Sequence, residues 1–215
     1  MVKLSRPDLS NPVRELSKVM DGASPAHVKE LKRMIEFLHW ERSKGLRIKS
    51  DHEEKWKVLA YSDSDFAGDK DDRKSVTGYV ILLCNVPVSW KSKGQPNVTL
   101  SSTEAEYVAL CETVREIKFI SQLLNTLNIQ YERPIKVQVD NIGAVFLSKN
   151  KTSGERTKHI DVKYHFIREQ INDGLIQVDF VRSEENLADI FTKNLSGEKY
   201  IYHASKLLTE GKTDG

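Results

Sequence analysis

The chain has 215 residues, 33 of them basic and 31 acidic, and a formal net charge of +2, too little asymmetry to signal nucleic-acid binding by composition alone. Apolar residues make up 39% and charged residues 30%, an ordinary globular mixture, and no run of eighteen apolar residues marks a membrane span. The two cysteines, Cys84 and Cys111, form no CxxC pair, which argues against a disulfide framework or a thiolate zinc centre. The opening MVKLSRPDLSNP is polar and Pro-bearing rather than a signal peptide, so an intracellular chain is expected.

In chain order, the first ~45 residues read as helical. Within SPAHVKELKRMIEFLHWERSKG, Ser24 suits an N-cap, Pro25 the first helical position and Gly45 a C′ glycine. Val28, Leu31, Ile35 and Leu38 form the stripe expected to be buried. The polar KSDHEEK (49–55) looks like a linker, and three strand-like runs follow: KVLAYSD (57–63), VTGYVILLC (76–84) and PVSWKSK (87–93). The acidic FAGDKDDRKS separates the first two. A long helix is predicted over roughly 103–127, with Leu110, Val114, Ile117, Ile120 and Leu124 as its apolar stripe. IKVQVDN (135–141) is a strand and AVFLSK a short helix. RTKHIDVKYHFIREQINDG is a helix closing near Gly174, and IQVDFV (176–181) is a strand. A helix beginning near Ser183 and a C-terminal segment, EKYIYHASKLL, complete the chain. The order βββ-α-β-α-α-β-α implies a mixed sheet, antiparallel in its opening meander and parallel where helices intervene.

One turn back along the stripe of the long helix lies Glu106, where an unpaired buried charge would cost several kcal/mol. Asp63 ends the first strand, Asp140 ends the fourth, and Asp189 lies early in the helix after the last strand. Ligands gather at strand carboxyl ends and adjacent helix N-termini in such sheets, and carboxylates meeting there need a cation among them. Hard divalent ions such as Mg²⁺ meet that need, and a pair of them can clamp an in-line phosphoryl displacement. Taken singly, each acid also has a plainer reading: a turn or cap for Asp63 and Asp140, a solvated charge for Asp189, a dipole-favoured acid for Glu106.

The motifs YSDSDFAGDKDDRKSVTGYV, PVSWKSK, LSSTEAEYVAL, VDNIGAV, RTKHIDVKYHFIRE and ENLADIFTK, in this order over about 57–198, resemble the ribonuclease H domain of copia-type retrotransposon polyproteins. Upstream, SRPDLSNPVRELSKVM and HVKELKRMIEFL resemble the end of the preceding reverse transcriptase domain. The resemblance implies an α/β, ribonuclease H-like fold: a mixed five-stranded sheet with helices on both faces. It also implies a helical remnant over 1–50, a linker over 51–56, the ribonuclease H domain over 57–198 and a C-terminal helical tail over 199–215. The implied activity is hydrolysis of the RNA strand of an RNA–DNA hybrid. Asp63, Glu106, Asp140 and Asp189 are the implied catalytic, metal-holding set for two Mg²⁺ or Mn²⁺ ions, with a metal-activated water as nucleophile. Asp65 and Asp69 rival Asp63, and Glu104 rivals Glu106, but Asp63 ends the apolar run and Glu106 lies on the buried stripe.

The family's partners follow: an RNA–DNA hybrid and the polymerase domain of the same polyprotein, no membrane, in the cytoplasmic particle of the element or the nucleus. The loop VRSEENLAD lacks the histidine that bacterial and retroviral relatives carry there, and His159 or His165 is the candidate auxiliary group. No YxDD-like sequence is present, so this chain is not expected to polymerise DNA. Hybrid contacts are expected through phosphates and 2′-hydroxyls. Ser101, Ser102 and Thr103 are placed for this at a helix N-terminus, Asn141 beside Asp140, and Trp90, Lys91 and Lys93 on a strand. Capping is the alternative for the hydroxyls and Asn141, and core packing for Trp90. The basic KNKTSGERTK (149–158) is either a phosphate patch or a solvated loop. Two rival functions stay open: a catalytically silent nucleic-acid-binding module, and another two-metal nuclease on the same scaffold.

Overall fold

The computed structural model describes residues 2–46, 48, 55–68, 72–150 and 158–210. In chain order these form helices α1 (Ser10–Ser17) and α2 (Pro25–Trp40), a short strand β1 (Lys44–Gly45), and the meander β2 (Val58–Asp65), β3 (Val76–Leu83) and β4 (Val86–Gly94). Helix α3 (Ser102–Thr126), strand β5 (Ile135–Val139), helices α4 (Ile142–Lys149) and α5 (Lys158–Asn172) and strand β6 (Ile176–Phe180) follow. Two 3₁₀ turns, Ser183–Glu185 and Leu187–Phe191, lead to α6 (Gly197–Leu207) and a short strand β7 (Thr209–Glu210).

Five strands pair in the order β4-β3-β2-β5-β6, antiparallel within the meander and parallel across β2–β5 and β5–β6. This is the mixed five-stranded sheet that the resemblance implies. Period-2 alternation along β2 sorts its side chains between two cores. Val58 and Ala60 join the core under α3, whereas Leu59 and Tyr61 pack against the one formed by Leu187, Ile190, Phe191 and α6. Helix α3 starts at Ser101, whose hydroxyl accepts the Glu104 N–H, while the Glu104 carboxylate turns back to accept the Leu100 N–H. Its stripe Leu110, Val114, Ile117, Ile120 and Leu124 is buried as expected, each side chain contributing about 1.5–3 kcal/mol.

Four expectations are corrected. The stripe of α2 is not buried: Val28, Leu31 and Ile35 are 44%, 43% and 56% exposed, and the turn toward the body of the protein is made by Phe37, whose ring meets Tyr200 edge-on. Spacing shows that a helix has an apolar face, but not which neighbour covers it. Ser24 and Pro25 do cap α2, yet the helix ends at Trp40, and Gly45 pairs with Thr209 in the small β1–β7 ribbon instead of serving as its C′ residue. Strand β2 runs two residues past Asp63, because Ser64 and Asp65 still pair with Thr77 and Val76. The helix expected from Ser183 is two 3₁₀ turns, divided by Asn186, whose side chain accepts the Ala188 N–H and donates to the Ser62 carbonyl. Most of the linker, Asp69 and residues 151–157 of the basic stretch lie outside the described residues.

The N-terminal segment is tied to the C-terminal one. The Arg6 guanidinium pairs with Asp8 at 2.8 Å, both side chains almost fully buried, and the Tyr200 hydroxyl donates to Asp8 at 2.7 Å. Asn11 bonds Asn194, Arg14 bonds Ser92, and the Trp90 indole donates to the Val2 carbonyl. Trp90 is therefore engaged within the fold, as the plainer reading had it.

Candidate active site

Three carboxylates meet at one end of the sheet. Parallel pairing sets Ser62 of β2 opposite Val139 of β5, so the next residues of each strand, Asp63 and Asp140, lie side by side. Glu106, in the second turn of α3, reaches the same place. One oxygen from each of Asp63, Glu106 and Asp140 lies within 4.8 Å of the others. Asp63 is fully buried and Glu106 is 5% exposed. Glu106 accepts the Ser64 N–H with Oε1 at 3.1 Å, and its Oε2, also buried, has no hydrogen-bond partner among the described residues. A buried, orphaned carboxylate oxygen on a residue grouped with two more acids suits a hard divalent cation, which takes oxygen ligands.

The other side of Asp63 is engaged by the Leu187–Phe191 turn and the residues after it. The Thr192 hydroxyl donates to Asp63 Oδ2. Lys193 Nζ lies 3.2 Å from Asp63 Oδ1 and 3.0 Å from Asp189 Oδ1, bridging the two acids. Asp189 is thus drawn to Asp63 through a cation, and it stands outside the triad that shares close oxygens. Asp140 accepts the Ser183 hydroxyl at 2.7 Å. Gly78, opposite Asp63 on β3, permits this arrangement: a Cβ there would come 2.5 Å from Thr192 Cγ2 and 2.9 Å from Phe191 Cβ.

Burial raises the Asp63 carboxyl to about 7, with Asp189 and Asp140 adding to the rise and Lys193 and Thr192 opposing it. Glu106 rises well above the usual carboxylate range through burial first, then the charges of Asp63 and Asp140. Asp189 rises through burial, moderated by Lys193. Burial would lower the Lys193 ammonium, but Asp63 and Asp189 outweigh it and hold the proton on. The cluster carries more negative charge than its surroundings tolerate, a property of groups that exchange protons or bind cations.

Along 203 residues, 94% of its length, the chain is 40% identical to the retrovirus-related Pol polyprotein from transposon RE1 of Arabidopsis thaliana. It is 36% identical over 196 residues to the retrovirus-related Pol polyprotein from transposon TNT 1-94 of Nicotiana tabacum, which matches 91% of this chain. Over about 90% of its length the chain is thus 36–41% identical to copia-type Pol polyproteins. It spans 14% of each of those two polyproteins. No protein-family model matches it. The solved structure of LC11-RNase H1, isolated from compost, aligns with a TM-score of 0.47 at 16% identity, over 63% of this chain and 92% of that one. Among the described residues, no helix is long and apolar enough to cross a membrane.

The structure brings only some of the expected binding residues to the acids. Thr103 and Asn141 flank the triad, the Thr103 hydroxyl 3.5 Å from Asn141 Oδ1. Asn141 also caps α4 by accepting the Ala144 N–H, and Ser101 caps α3, so the capping readings hold for both. Ser102 is exposed beside them. Lys91 and Lys93 sit on β4, two strands from Asp63, with Lys91 paired to Glu112 at 3.0 Å and Lys93 exposed. Asp65 is half-buried at the end of β2, and Glu104 caps its own helix. His165 lies exposed on α5, and the side chain of His159 lies outside those described.

Four residues escaped the sequence reading: Ser64, Ser183, Thr192 and Lys193. For Lys193 a signal was present, because a lysine four residues after an aspartate in ENLADIFTK is a potential i,i+4 ion pair. Its second partner, Asp63, is 130 residues away and could not be read locally.

Proposed function

We propose that this segment is an endoribonuclease that hydrolyses the RNA strand of RNA–DNA hybrids during reverse transcription of a copia-type element. The observation that carries the reading is the Asp63–Glu106–Asp140 triad with its orphaned, buried Glu106 oxygen. Those three residues would hold one divalent ion, and Asp189 with Asp63 a second. Bound Mg²⁺ or Mn²⁺ would supply charge for phosphoryl transfer to water.

The protein's own part is positional. Ser64 fixes Glu106 through its N–H, Ser183 fixes Asp140 through its hydroxyl, and Thr192 fixes Asp63, so the acids are set before substrate arrives. Thr103 and Ser102, at the start of α3, and Asn141, at the start of α4, would contact the backbone of the hybrid. Lys93 is the freer of the two β4 cations for a phosphate, since Lys91 is held by Glu112. The polymerase part of the same polyprotein is the proposed partner, in keeping with relatives of which this chain matches 14%.

The test is cleavage of a labelled RNA–DNA hybrid in Mg²⁺, Mn²⁺ or EDTA, beside single-stranded and double-stranded RNA. Metal-dependent cutting confined to the RNA strand of the hybrid is the expected result. Asp140→Asn should lower the rate by at least ~10²-fold with an unchanged circular dichroism spectrum. Binding without cutting in either metal would overturn the enzyme reading in favour of a silent binding module.

A further inference from the structure

The Asp63 carboxylate faces two cation positions. One lies among Asp63, Glu106 and Asp140, whose carboxylates group closely and of which Glu106 keeps a buried oxygen without a hydrogen-bond partner among the described residues. The other lies between Asp63 and Asp189 and is filled by the ammonium of Lys193, at 3.2 and 3.0 Å. An ammonium has three N–H donors and no acceptor; two point at these carboxylates. The base of the side chain is fixed as well, because the Lys193 N–H donates to the Asp189 carbonyl at 3.0 Å and the Thr192 N–H to the same carbonyl at 3.1 Å. The side chain is 35% exposed, so the stem has an open side toward solvent.

We propose that Lys193 is a tethered cation at the second position: it holds Asp63 and Asp189 together in the metal-free protein, and an ion enters there only by displacing it. This rests on the proposed metal-dependent nuclease reading and deepens it. The first ion enters the triad without disturbing an existing ion pair. The second must break two, and a lysine on a flexible four-carbon stem can swing to solvent where a guanidinium fork would be harder to free. Lys193 is in this sense a positioning residue, which makes occupancy of the second position the more demanding step.

The experiment is a calorimetric Mn²⁺ titration of the whole chain without nucleic acid, for wild type, Lys193→Met and Lys193→Arg. Wild type and Lys193→Arg are expected to take up one ion tightly and a second weakly, near saturating Mn²⁺. Lys193→Met is expected to take up the second with about tenfold higher apparent affinity. In EDTA, Lys193→Met should melt below wild type and regain the difference on adding Mn²⁺. Should Lys193→Met fail to fold without metal, the wild-type protein decides. Amine acylation read by mass spectrometry should find Lys193 protected in EDTA and more reactive as Mn²⁺ rises to saturation. Equal stoichiometry and affinity in folded wild type and Lys193→Met, or Lys193 reactivity indifferent to Mn²⁺, would overturn the tethered-cation role while leaving the nuclease reading intact. No Mn²⁺ uptake by any of the three would overturn both.

Discussion

Asp63 illustrates how a buried acid links chemistry to stability. Its carboxyl is pushed up to about 7 by burial, against an ordinary value of 3.8 in the unfolded chain. Between those two values the folded, metal-free protein binds a proton that the unfolded chain has released, so unfolding free energy falls as pH rises through that window. The sign is opposite to that of a salt-bridged surface carboxylate. His203, buried and held below its ordinary value by burial, runs the other way over part of the range, so the informative quantity is a difference between variants. In EDTA, thermal midpoints measured from pH 4.5 to 8 should decline more for wild type than for Asp63→Asn, and saturating Mg²⁺ should recover the wild-type loss above pH 7. A wild-type profile parallel to that of Asp63→Asn would show that Asp63 is not the source. The four acids were legible as residues because each stands near the end of an element or on an apolar stripe. Thr192 and Lys193 were not, because their meaning depends on Asp63, from which they are 129 and 130 residues distant.

At the level of elements, the Leu187–Phe191 turn decides where Asp189, Thr192 and Lys193 stand. It packs directly on β3 at Gly78, where a methyl group would meet Thr192 and Phe191 below 3.0 Å. Gly78→Ala should therefore destabilise the protein by about 1–3 kcal/mol through overpacking. It should also weaken Mn²⁺ binding, since the turn must lift away from Asp63. Chemical denaturation and metal titration of the same variant check both, and an undiminished affinity would mean that the turn is not what sets the site. Strand and helix positions in the sheet were readable from period-2 and 3.6-residue patterns, which are local. The turn was misread as a helix because its apolar residues have helical spacing, while Asn186 diverts its hydrogen bonds to Ser62 and Ala188.

On the scale of the whole molecule, the N-terminal segment is fastened to the C-terminal helix by a buried ion pair with a tyrosine on it. The Tyr200 hydroxyl donates to Oδ2 of Asp8, which is fully buried, and loss of that donor leaves this charged oxygen with the Arg6 guanidinium alone. Tyr200→Phe should cost about 1–3 kcal/mol. It should also speed amide hydrogen exchange in α1 more than in α3, as expected if the segment opens as a unit. Uniform loss of protection would instead mean that the whole chain unfolds together. Little of this fastening was legible beforehand, because Arg6, Asp8 and Tyr200 carry no periodic signal and Tyr200 lies 192 residues from Asp8. The same limit governs α2, whose apolar stripe was plain in the sequence although the helix turns Phe37 inward.

The sequence by itself determined most elements of this chain, the mixed character of its sheet and the acids near the ends of those elements, since these follow from local periodicity and capping chemistry. Only the tertiary structure decided which charges share a site. Parallel pairing of β2 with β5 sets Asp140 beside Asp63, and burial of α3 brings Glu106 to both. Gly78 admits the turn that delivers Lys193 to the far side of Asp63. Convergence of this kind depends on register and packing between distant segments, and no local pattern of residues encodes it.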